Sequence, residues 1–235
     1  MRLLILAGGF GSRLKTAIGD LPKALAPVAG GPFLRLQIEN WRTQGMREFY
    51  VLLHHKADQI ISLLESLQSE ILVGCNVKWL VEPVPLETGG AIANAVRSFG
   101  LKGDFLVANA DTWIGTGLGR MMQSSSPAVA VLRLPDVGRY GQVEYDQGYC
   151  VTRFVEKGAA SVPGWINTGI SRLNANLFAS WDGQPFSLER VTLVELARAR
   201  RLEAVPLKTD FVDIGIPDDY YRFCSWVEGG RKGRL

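Results

Sequence analysis

Short apolar runs alternate with amphipathic stretches through the first half of the chain. Strands are predicted at residues 3–7, 49–53, 77–81 and 104–108, and the first of them, L-L-I-L-A, has no polar position, which is typical of a strand buried on both faces. Helices are predicted at residues 33–44, 57–67 and 90–99, where apolar residues recur with a helical period. Strands that alternate with helices of this length predict an α/β fold with a parallel sheet covered on both faces.

The second half has a different pattern. Strands are predicted at residues 128–134, 142–145, 151–155, 165–173 and 211–213, and a D-Q-G turn between the second and third of these predicts a hairpin. Ser187 is a plausible N-cap for a helix to residue 200, in which Leu188, Val191 and Val194 recur every three residues and are expected to face inward. Pro217 fits the first turn of a last helix to residue 227. No linker-like segment separates the halves, so we expect one domain over residues 1–235.

Composition restricts the class of protein. Of the 235 residues, 47% are hydrophobic and 21% are charged, which is ordinary for a folded domain. The net charge of +3 is a mild excess, whereas nucleic-acid binders usually have a concentrated basic face, so nucleic acid is not an expected partner. Three widely spaced cysteines without a C-x-x-C motif argue against a disulfide scaffold or a structural zinc site. No apolar run is long enough for a secretory signal or a membrane span, so we expect a cytoplasmic protein without a membrane partner.

A glycine-rich loop, G-G-F-G-S-R-L at residues 8–14, follows the first predicted strand. Such a turn at the carboxyl end of a parallel strand is where these folds bind phosphate, because its N–H groups can approach an anion closely. The loop is neither a Walker P-loop nor the dinucleotide fingerprint, whose third glycine is replaced by Leu14. Turn-making alone would also explain the glycines. Arg13 and Lys23, the latter in L-P-K, favour anion binding. A guanidinium can bind two phosphate oxygens at once, and an ammonium group is a compact positive charge.

Two acidic residues lie at predicted strand ends. Asp111 closes N-A-D after the strand at 104–108, and Asp213 ends the strand at 211–213. Taken singly, each is more often a cap or a turn residue. Together they could hold Mg²⁺, which prefers one or two carboxylates plus substrate phosphates. His54 and His55 are adjacent on an extended segment and point to opposite faces, so they are poor ligands for one metal ion. Trp113 is expected in the core or, alternatively, beside a sugar pocket.

The ordered set of motifs resembles the sugar-1-phosphate nucleotidyltransferases. The motifs that carry the resemblance are, in order, G-G-F-G-S-R-L, L-P-K, N-A-D, F-V-E-K, I-N-T-G-I and V-D-I-G-I-P, and the resemblance as a whole runs from about residue 2 to residue 223. The segment from Glu82 to Ile92 resembles in particular the D-glycero-α-D-manno-heptose 1-phosphate guanylyltransferases. The resemblance implies a Rossmann-related, glycosyltransferase-A-like three-layer fold with a central mixed, mostly parallel sheet. It also implies a nucleotide-binding half at residues 1–125 and a sugar-phosphate-binding half at 126–227. The positive charges of R-K-G-R-L indicate a basic tail at residues 228–235.

The family's roles can be carried onto matching residues. Arg13 and Lys23 are then catalytic: Arg13 holds the triphosphate, and Lys23 contacts the α-phosphate. Asp111 and Asp213 hold Mg²⁺. The residues implied in nucleotide binding are Leu6, Ala7, Gly8, Gly9, Gly11, Ser12, Glu82, Thr88, Gly89, Gly90, Asn109 and Asp111. The residues implied in binding the sugar phosphate are Tyr140, Gly141, Glu156, Lys157, Asn167 and Thr168. The implied partners are a nucleoside triphosphate and a sugar 1-phosphate, and a homodimer is compatible with the sequence.

The base and the sugar remain open at this point. The Glu82 carboxylate could accept hydrogen bonds from guanine, or it could hold neighbouring backbone amides. Glu87 stands where heptose enzymes often have glycine, and P-L-E-T-G-G also resembles N-acetylmuramate 1-phosphate uridylyltransferases. A guanylyltransferase acting on a heptose 1-phosphate for capsule or surface-polysaccharide synthesis is therefore weighed against two alternatives. One is a uridylyltransferase acting on an amino-sugar or hexose 1-phosphate, and the other is a non-catalytic regulatory homologue that binds a nucleotide sugar.

Overall fold

A computed structural model describes residues 1–155, 162–232 and 235. The strands are β1 Arg2–Leu6, β2 Pro27–Val28, β3 Gly31–Pro32, β4 Glu48–Leu53, β5 Asn76–Val81, β6 Asp104–Asn109, β7 Thr112–Ile114, β8 Ala128–Leu134, β9 Gln142–Tyr145, β10 Val151–Val155, β11 Gly164–Asn174, β12 Glu203–Pro206 and β13 Phe211–Asp213. The α-helices are α1 Lys15–Ile18, α2 Phe33–Thr43, α3 Ala57–Gln68, α4 Glu87–Phe99, α5 Leu118–Gln123, α6 Leu193–Arg198 and α7 Pro217–Glu228.

The chain divides into two compact units, and nine of the strands belong to one mixed sheet. The loop unit comprises residues 2–84, 108–116 and 209–235, and the hairpin unit comprises residue 1, residues 85–107 and residues 117–208, in each case as far as they are described. The α/β class with a mixed sheet, predicted from the sequence, is confirmed. The single domain with its halves at 1–125 and 126–227 and its tail at 228–235 stays a prediction.

Parallel strands form the centre of the loop unit. β1 pairs with β4 and β4 with β5, both in parallel, with Leu3 opposite Phe49 and Leu52 opposite Leu80. Leu3, Leu4 and Ile5 are fully buried, as expected for an apolar run without polar alternation. This arrangement places the residues after β1 and β4 at the same edge of the sheet, where the glycine-rich loop begins.

Antiparallel pairing dominates the hairpin unit. β9 and β10 form the predicted hairpin, with Val143 opposite Phe154, and β11 runs antiparallel to β6, β8 and β9. β12, which the sequence pattern did not indicate, pairs in parallel with β8. The register of β11 against β8 shifts between Asn167 and Ser171, so the I-N-T-G-I motif contains a β-bulge.

The helix predicted at 187–200 begins differently from the expectation. Ser187 does cap it, with its Oγ accepting from the N–H of Arg190, but Leu188–Thr192 forms a π-helical turn before α6. This wider turn shifts the inward positions, so the buried residue after Leu188 is Leu193. The inward assignment of Val191 and Val194 was wrong: Val191 is 39% exposed, and Val194 is only half-buried.

Trp113 belongs to the core of the loop unit. Its ring is 2% exposed and lies 5.4 Å from that of Phe223 and 6.3 Å from that of Trp226, centroid to centroid. Val212 of β13 and Phe33 of α2 belong to the same buried cluster. The core assignment is therefore confirmed, and the alternative sugar-pocket assignment of Trp113 was wrong.

A charged network lies inside the hairpin unit. Arg172 Nη2 donates to Asp104 Oδ2 at 2.7 Å, and Asn174 Nδ2 donates to Asp104 Oδ1 at 2.6 Å. Burial alone would raise the pKa of Asp104, but these hydrogen bonds outweigh it and hold that pKa below its ordinary value. The network joins β6 to β11, which pair antiparallel at this point.

Candidate active site

The glycine-rich loop leaves β1 with little room for side chains. A methyl group on Gly8 would lie 3.2 Å from His54 Cβ, and one on Gly11 would lie 2.8 Å from Lys23 Cγ. Gly11 also has a φ of +64°, which favours glycine. Gly9 faces open space. The loop backbone is therefore pressed against Lys23 on one side and left accessible at Gly9.

The end of the loop is a single 3₁₀ turn, Ser12–Leu14. Leu14 is fully buried and anchors this turn, while Ser12 and Arg13 are exposed. Before the loop, the Ala7 N–H donates to Leu52 O at 2.9 Å, which fixes the carboxyl end of β1. The Arg13 guanidinium is thus presented to solvent from a short and well-anchored turn.

Lys23 contacts one of the two predicted metal-binding acids. Its Nζ donates to Asp111 Oδ2 at 3.0 Å, and the two side chains are 17% and 27% exposed. Asp111 lies in the turn between β6 and β7, and Ala110 in the same turn donates its N–H to Leu6 O at 3.1 Å. The structure therefore brings L-P-K and N-A-D, which are 88 residues apart, into direct contact.

Asp213 joins the same cluster through β13. β13 pairs antiparallel with β7, with Asp213 opposite Thr112, and the Ile214 N–H donates to Asp111 O at 2.9 Å. The Gly215 N–H donates to Asp213 Oδ1 at 2.7 Å. A methyl group on Gly215 would lie 2.7 Å from Asp213 Oδ1 and 3.5 Å from Lys23 Nζ. We call Lys23, Asp111, Asp213 and Gly215 the charge cluster.

The donor set of the charge cluster is compatible with the predicted magnesium ion, whose binding stays a prediction. It offers two carboxylates, which are the hard oxygen ligands that Mg²⁺ takes from proteins. Within the described residues, no group of three or more histidine, cysteine or acidic side chains could hold a metal by itself. The remaining ligands would therefore come from water and phosphate, as is usual for Mg²⁺ at phosphate-transfer sites.

Sequence reasoning did not identify Gly215 or the cations around Asp20. Lys56 donates to the Asp20 carboxylate and backbone carbonyl, and Lys15 Nζ lies 3.6 Å from Asp20 Oδ1. The hydrogen bond from Lys56 is the main reason why the pKa of Asp20 is lowered. The available sequence signal for Gly215 was its place in V-D-I-G-I-P, two residues after Asp213. Lys56 has a φ of +52°, which only the structure shows.

Glu82 and Asn109 also lie in the loop unit. Glu82 follows β5 and is 7% exposed, and its N–H donates to Leu53 O at 2.8 Å. Its backbone oxygen is 2.9 Å from His54 Nδ1. Phe10, which is 55% exposed, contacts His54 with ring centroids 5.7 Å apart. The structure thus gathers the first loop residues and the segments after β4 and β5, while base recognition by Glu82 stays a prediction.

Thr88, Gly89 and Gly90 lie in the hairpin unit, within the first turn of α4 rather than before it. The N–H groups of both glycines donate to Phe186 O, at 2.8 and 3.1 Å. Thr88 Oγ1 donates to Glu189 Oε2 at 2.7 Å and accepts from the Leu188 N–H at 2.9 Å. Nucleotide binding by these three residues stays a prediction.

The predicted sugar-phosphate residues that the structure describes lie along β11 and before β9. The Asn167 N–H donates to Gly141 O at 2.9 Å, and Asn167 Oδ1 accepts from the Gly169 N–H at 3.1 Å. Thr168 is 1% exposed and donates to Ala130 O at 3.1 Å, so its hydroxyl holds the bulge.

Three further residues of this predicted set are Tyr140, Glu156 and Lys157. Tyr140 is half-buried, its N–H donates to Val137 O at 3.0 Å, and its ring lies under the Arg139 guanidinium. Glu156 and Lys157 lie outside the described residues. Their assignment, like that of Tyr140, Gly141, Asn167 and Thr168, stays a prediction.

Comparisons with known proteins give the family. The family model described as nucleotidyl transferase matches residues 2–228. The chain is 35% identical to D-glycero-alpha-D-manno-heptose 1-phosphate guanylyltransferase of Campylobacter jejuni, over 95% of this chain and 98% of the relative. It is 31% identical to probable mannose-1-phosphate guanylyltransferase 2 of Arabidopsis thaliana, over 94% of this chain but only 63% of that longer relative.

Solved structures agree with this assignment. HddC from Yersinia pseudotuberculosis, in a complex with GMP-PN, matches with a TM-score of 0.82 and 34% identity, over 96% of this chain and 99% of that one. A putative glucose-1-phosphate thymidylyltransferase from Bacillus anthracis matches with a TM-score of 0.79 at 17% identity, over 100% and 97% of the two chains, and supports the fold alone. The chain shares its fold with these proteins, is similar to sugar-1-phosphate guanylyltransferases, and belongs to the nucleotidyl transferase family.

Proposed function

We propose that this protein condenses GTP with D-glycero-α-D-manno-heptose 1-phosphate to give the GDP-sugar and pyrophosphate, for capsule or surface-polysaccharide synthesis. The observation that carries the catalytic part is the charge cluster, in which Lys23 Nζ lies 3.0 Å from Asp111 Oδ2 next to Asp213. The sugar is supported by the relative from C. jejuni, which matches over nearly the full length of both chains. Guanine is supported by that relative and by the HddC structure with GMP-PN.

The reaction needs alignment and charge cancellation more than acid–base chemistry. An oxygen of the sugar 1-phosphate attacks the α-phosphorus, a new P–O bond forms, and the bond to the bridging oxygen breaks with its electron pair leaving on pyrophosphate. The nucleophile is already an anion, so a strong general base is not required. The barrier falls when two polyanions are held in line and the developing charge meets fixed cations.

The residues of the loop unit are suited to this task. The exposed Arg13 guanidinium and the loop N–H groups would hold the triphosphate, since a guanidinium can bind phosphate oxygens bidentately. Lys23 would move from Asp111 to the α-phosphate, and the close contact of its side chain with Gly11 limits the positions that it can take. Asp111 and Asp213 would hold Mg²⁺, which supplies charge neutralisation for the phosphates when it is bound.

The hairpin unit would supply the sugar contacts. The bulge at Asn167 and Gly169 turns the strand, and Thr168 anchors it through its hydrogen bond to Ala130. We assign Thr168 to shaping the sugar site, and Tyr140, Gly141, Glu156, Lys157 and Asn167 to binding the sugar phosphate.

Cytoplasmic location is part of the proposal. Within the described residues, no helix has the length and apolar character needed to cross a membrane.

The test is a matrix of substrates. Pyrophosphate release would be measured for the full chain with GTP, UTP, CTP, ATP and dTTP, each against heptose, mannose, glucose and amino-sugar 1-phosphates, with and without Mg²⁺. We expect turnover to be fastest with GTP and the heptose 1-phosphate and to require the metal. Turnover with UTP alone would contradict the guanine assignment. Thermal stabilisation by a nucleotide sugar without turnover of any pair would instead favour the regulatory homologue.

A further inference from the structure

A buried glutamine lies against the turn that carries Asp111. Gln37, on α2, is 1% exposed, and both hydrogen bonds from its Nε2 go to backbone oxygens of this turn. One reaches Asn109 O at 3.1 Å and the other reaches Thr112 O at 2.7 Å. These two carbonyls flank Ala110 and Asp111, so one side-chain amide bridges the two ends of the turn.

The opposite side of this amide is left without a partner. Among the described residues, Gln37 Oε1 is buried and has no hydrogen bond. A buried carbonyl oxygen without a partner destabilises a fold, and such groups in native proteins require an explanation. A residue chosen only for stability could be an apolar side chain of similar size at this position. The placement of both donors on the Asp111 turn is the feature that an apolar side chain could not reproduce.

Other polar residues of α2 make similar contacts farther from Asp111. Asn40 Nδ2 donates to Ile114 O at 2.7 Å, and Gln44 Nε2 donates to Gly115 O at 3.2 Å. All of these acceptors lie in the segment from β6 to just beyond β7. Asn40 therefore provides an internal comparison, since it binds the same segment from the same helix but contacts it three residues beyond Asp111.

We infer that Gln37 is a positioning residue, which fixes the orientation of the Asp111 carboxylate by bridging its turn. Two backbone bonds also hold this turn, from the Ala110 N–H to Leu6 O at 3.1 Å and from the Ile214 N–H to Asp111 O at 2.9 Å, and Thr112 Oγ1 donates to Asp111 Oδ1 at 3.3 Å. Without the amide, the turn keeps these bonds but loses its support from α2. The carboxylate then has more freedom relative to Lys23 and Asp213. The kinetic consequence rests on the proposed function, whereas the structural consequence does not.

The test compares Gln37→Met with Asn40→Leu in the full chain. Gln37→Met keeps the side-chain length and removes the unpaired oxygen, but it also leaves Asn109 O and Thr112 O without this donor, so we expect a folded variant whose melting temperature is lower by a few degrees. We expect kcat to fall by roughly 10- to 100-fold and the Mg²⁺ concentration for half-maximal rate to rise by a similar factor, with little change in KM for the sugar phosphate. Amide hydrogen exchange at Ala110 and Ile214 should become faster in this variant, while Asn40→Leu should leave exchange and kcat near wild type.

The outcomes separate this inference from the proposed function. Wild-type exchange at Ala110 and Ile214 in a folded Gln37→Met variant would overturn the inference, as would equal kinetic losses in both variants. If the wild-type chain releases no pyrophosphate from any substrate pair, the proposed function fails, but the exchange experiment still decides the role of Gln37. If Gln37→Met does not fold, Gln37→Leu, which also lacks a donor, is measured in the same way; wild-type exchange in it would overturn the inference.

Discussion

A single methyl group at residue 215 should disturb the charge cluster without unfolding the protein. In Gly215→Ala the new carbon would lie 2.7 Å from Asp213 Oδ1, whereas ordinary contacts begin at 3.4 Å. The carboxylate or the backbone must therefore move by about 0.7 Å. The carboxylate cannot turn away freely, because Oδ1 also accepts the Gly215 N–H at 2.7 Å. The φ of Gly215 lies outside the left-handed region, so alanine adds no backbone strain.

The expected loss of kcat follows from this displacement of the Asp213 carboxylate. A misplacement of about 1 Å in an active site costs roughly 100-fold, so a shift of about 0.7 Å should lower kcat by at least about tenfold, or about 1.4 kcal/mol of transition-state stabilisation. Since the disturbed group is a proposed metal ligand, the Mg²⁺ concentration needed for half-maximal rate should rise as well. The assay is the initial rate of pyrophosphate release with GTP and heptose 1-phosphate over a range of Mg²⁺ concentrations, with circular dichroism and the melting temperature as checks of folding.

Gly119→Ala is the matched control. Gly119 lies in α5, a methyl group there meets no atom within 4 Å, and its φ is not in the left-handed region. Gly119 is in the first turn of this helix, so alanine there should leave kcat unchanged and stabilise the fold by less than about 1 kcal/mol, the value for a helix interior. If Gly215→Ala showed the same kcat and the same Mg²⁺ dependence as Gly119→Ala, the proposed role of Asp213 would be refuted.

Three further changes test contacts of the hairpin unit. Gly89→Ala would place a methyl group 2.2 Å from the Phe186 ring and should lower the free energy of unfolding by about 1–3 kcal/mol, measured by urea denaturation. Thr88→Val removes the hydrogen bond to Glu189 and should lower the free energy of unfolding by about 1–2 kcal/mol; because Thr88 is a predicted nucleotide-binding residue, KM for GTP should also rise, and an unchanged KM would contradict that assignment. The pKa of Asp104 is lowered on folding, so its carboxylate stabilises the fold above its ordinary pKa of about 4, and that contribution is lost as the pH falls through the lower folded value. Asp104→Asn should therefore cost about 1–2 kcal/mol at pH 7, and the difference from wild type should shrink in melts below pH 4.

Local patterns in the sequence predicted most of the fold. The strands at β1, β4, β8 and β13 and the helices α2, α3 and α7 agree with the predictions to within two residues at each end, because apolar periodicity and capping act over a few residues. The inward face of the helix after Ser187 was wrong, since a π-helical turn changes the period without a clear sequence signal. β12 was not indicated, because its residues E-A-V-P form a short segment without a distinctive pattern.

The candidate site could be predicted only in part, for a different reason. The order of the motifs assigned Lys23, Asp111 and Asp213 to one site. The contact between Lys23 and Asp111 joins segments that are 88 residues apart, however, and no local sequence pattern fixes the distance between Lys23 Nζ and the Asp111 carboxylate. Gln37 gave no signal, because a glutamine on a helix is ordinarily exposed. Its burial against the turn before β7 follows from the packing of the loop unit as a whole.

The kcat of Asp111→Asn tests the central claim most directly. Asparagine keeps the shape of the side chain but removes the negative charge that faces Lys23 and, in the proposal, Mg²⁺. With GTP, heptose 1-phosphate and saturating Mg²⁺, we expect pyrophosphate release to be roughly 100-fold slower or more, in a variant whose circular dichroism matches wild type. Wild-type turnover by this folded variant would contradict the assignment of the charge cluster as the catalytic site.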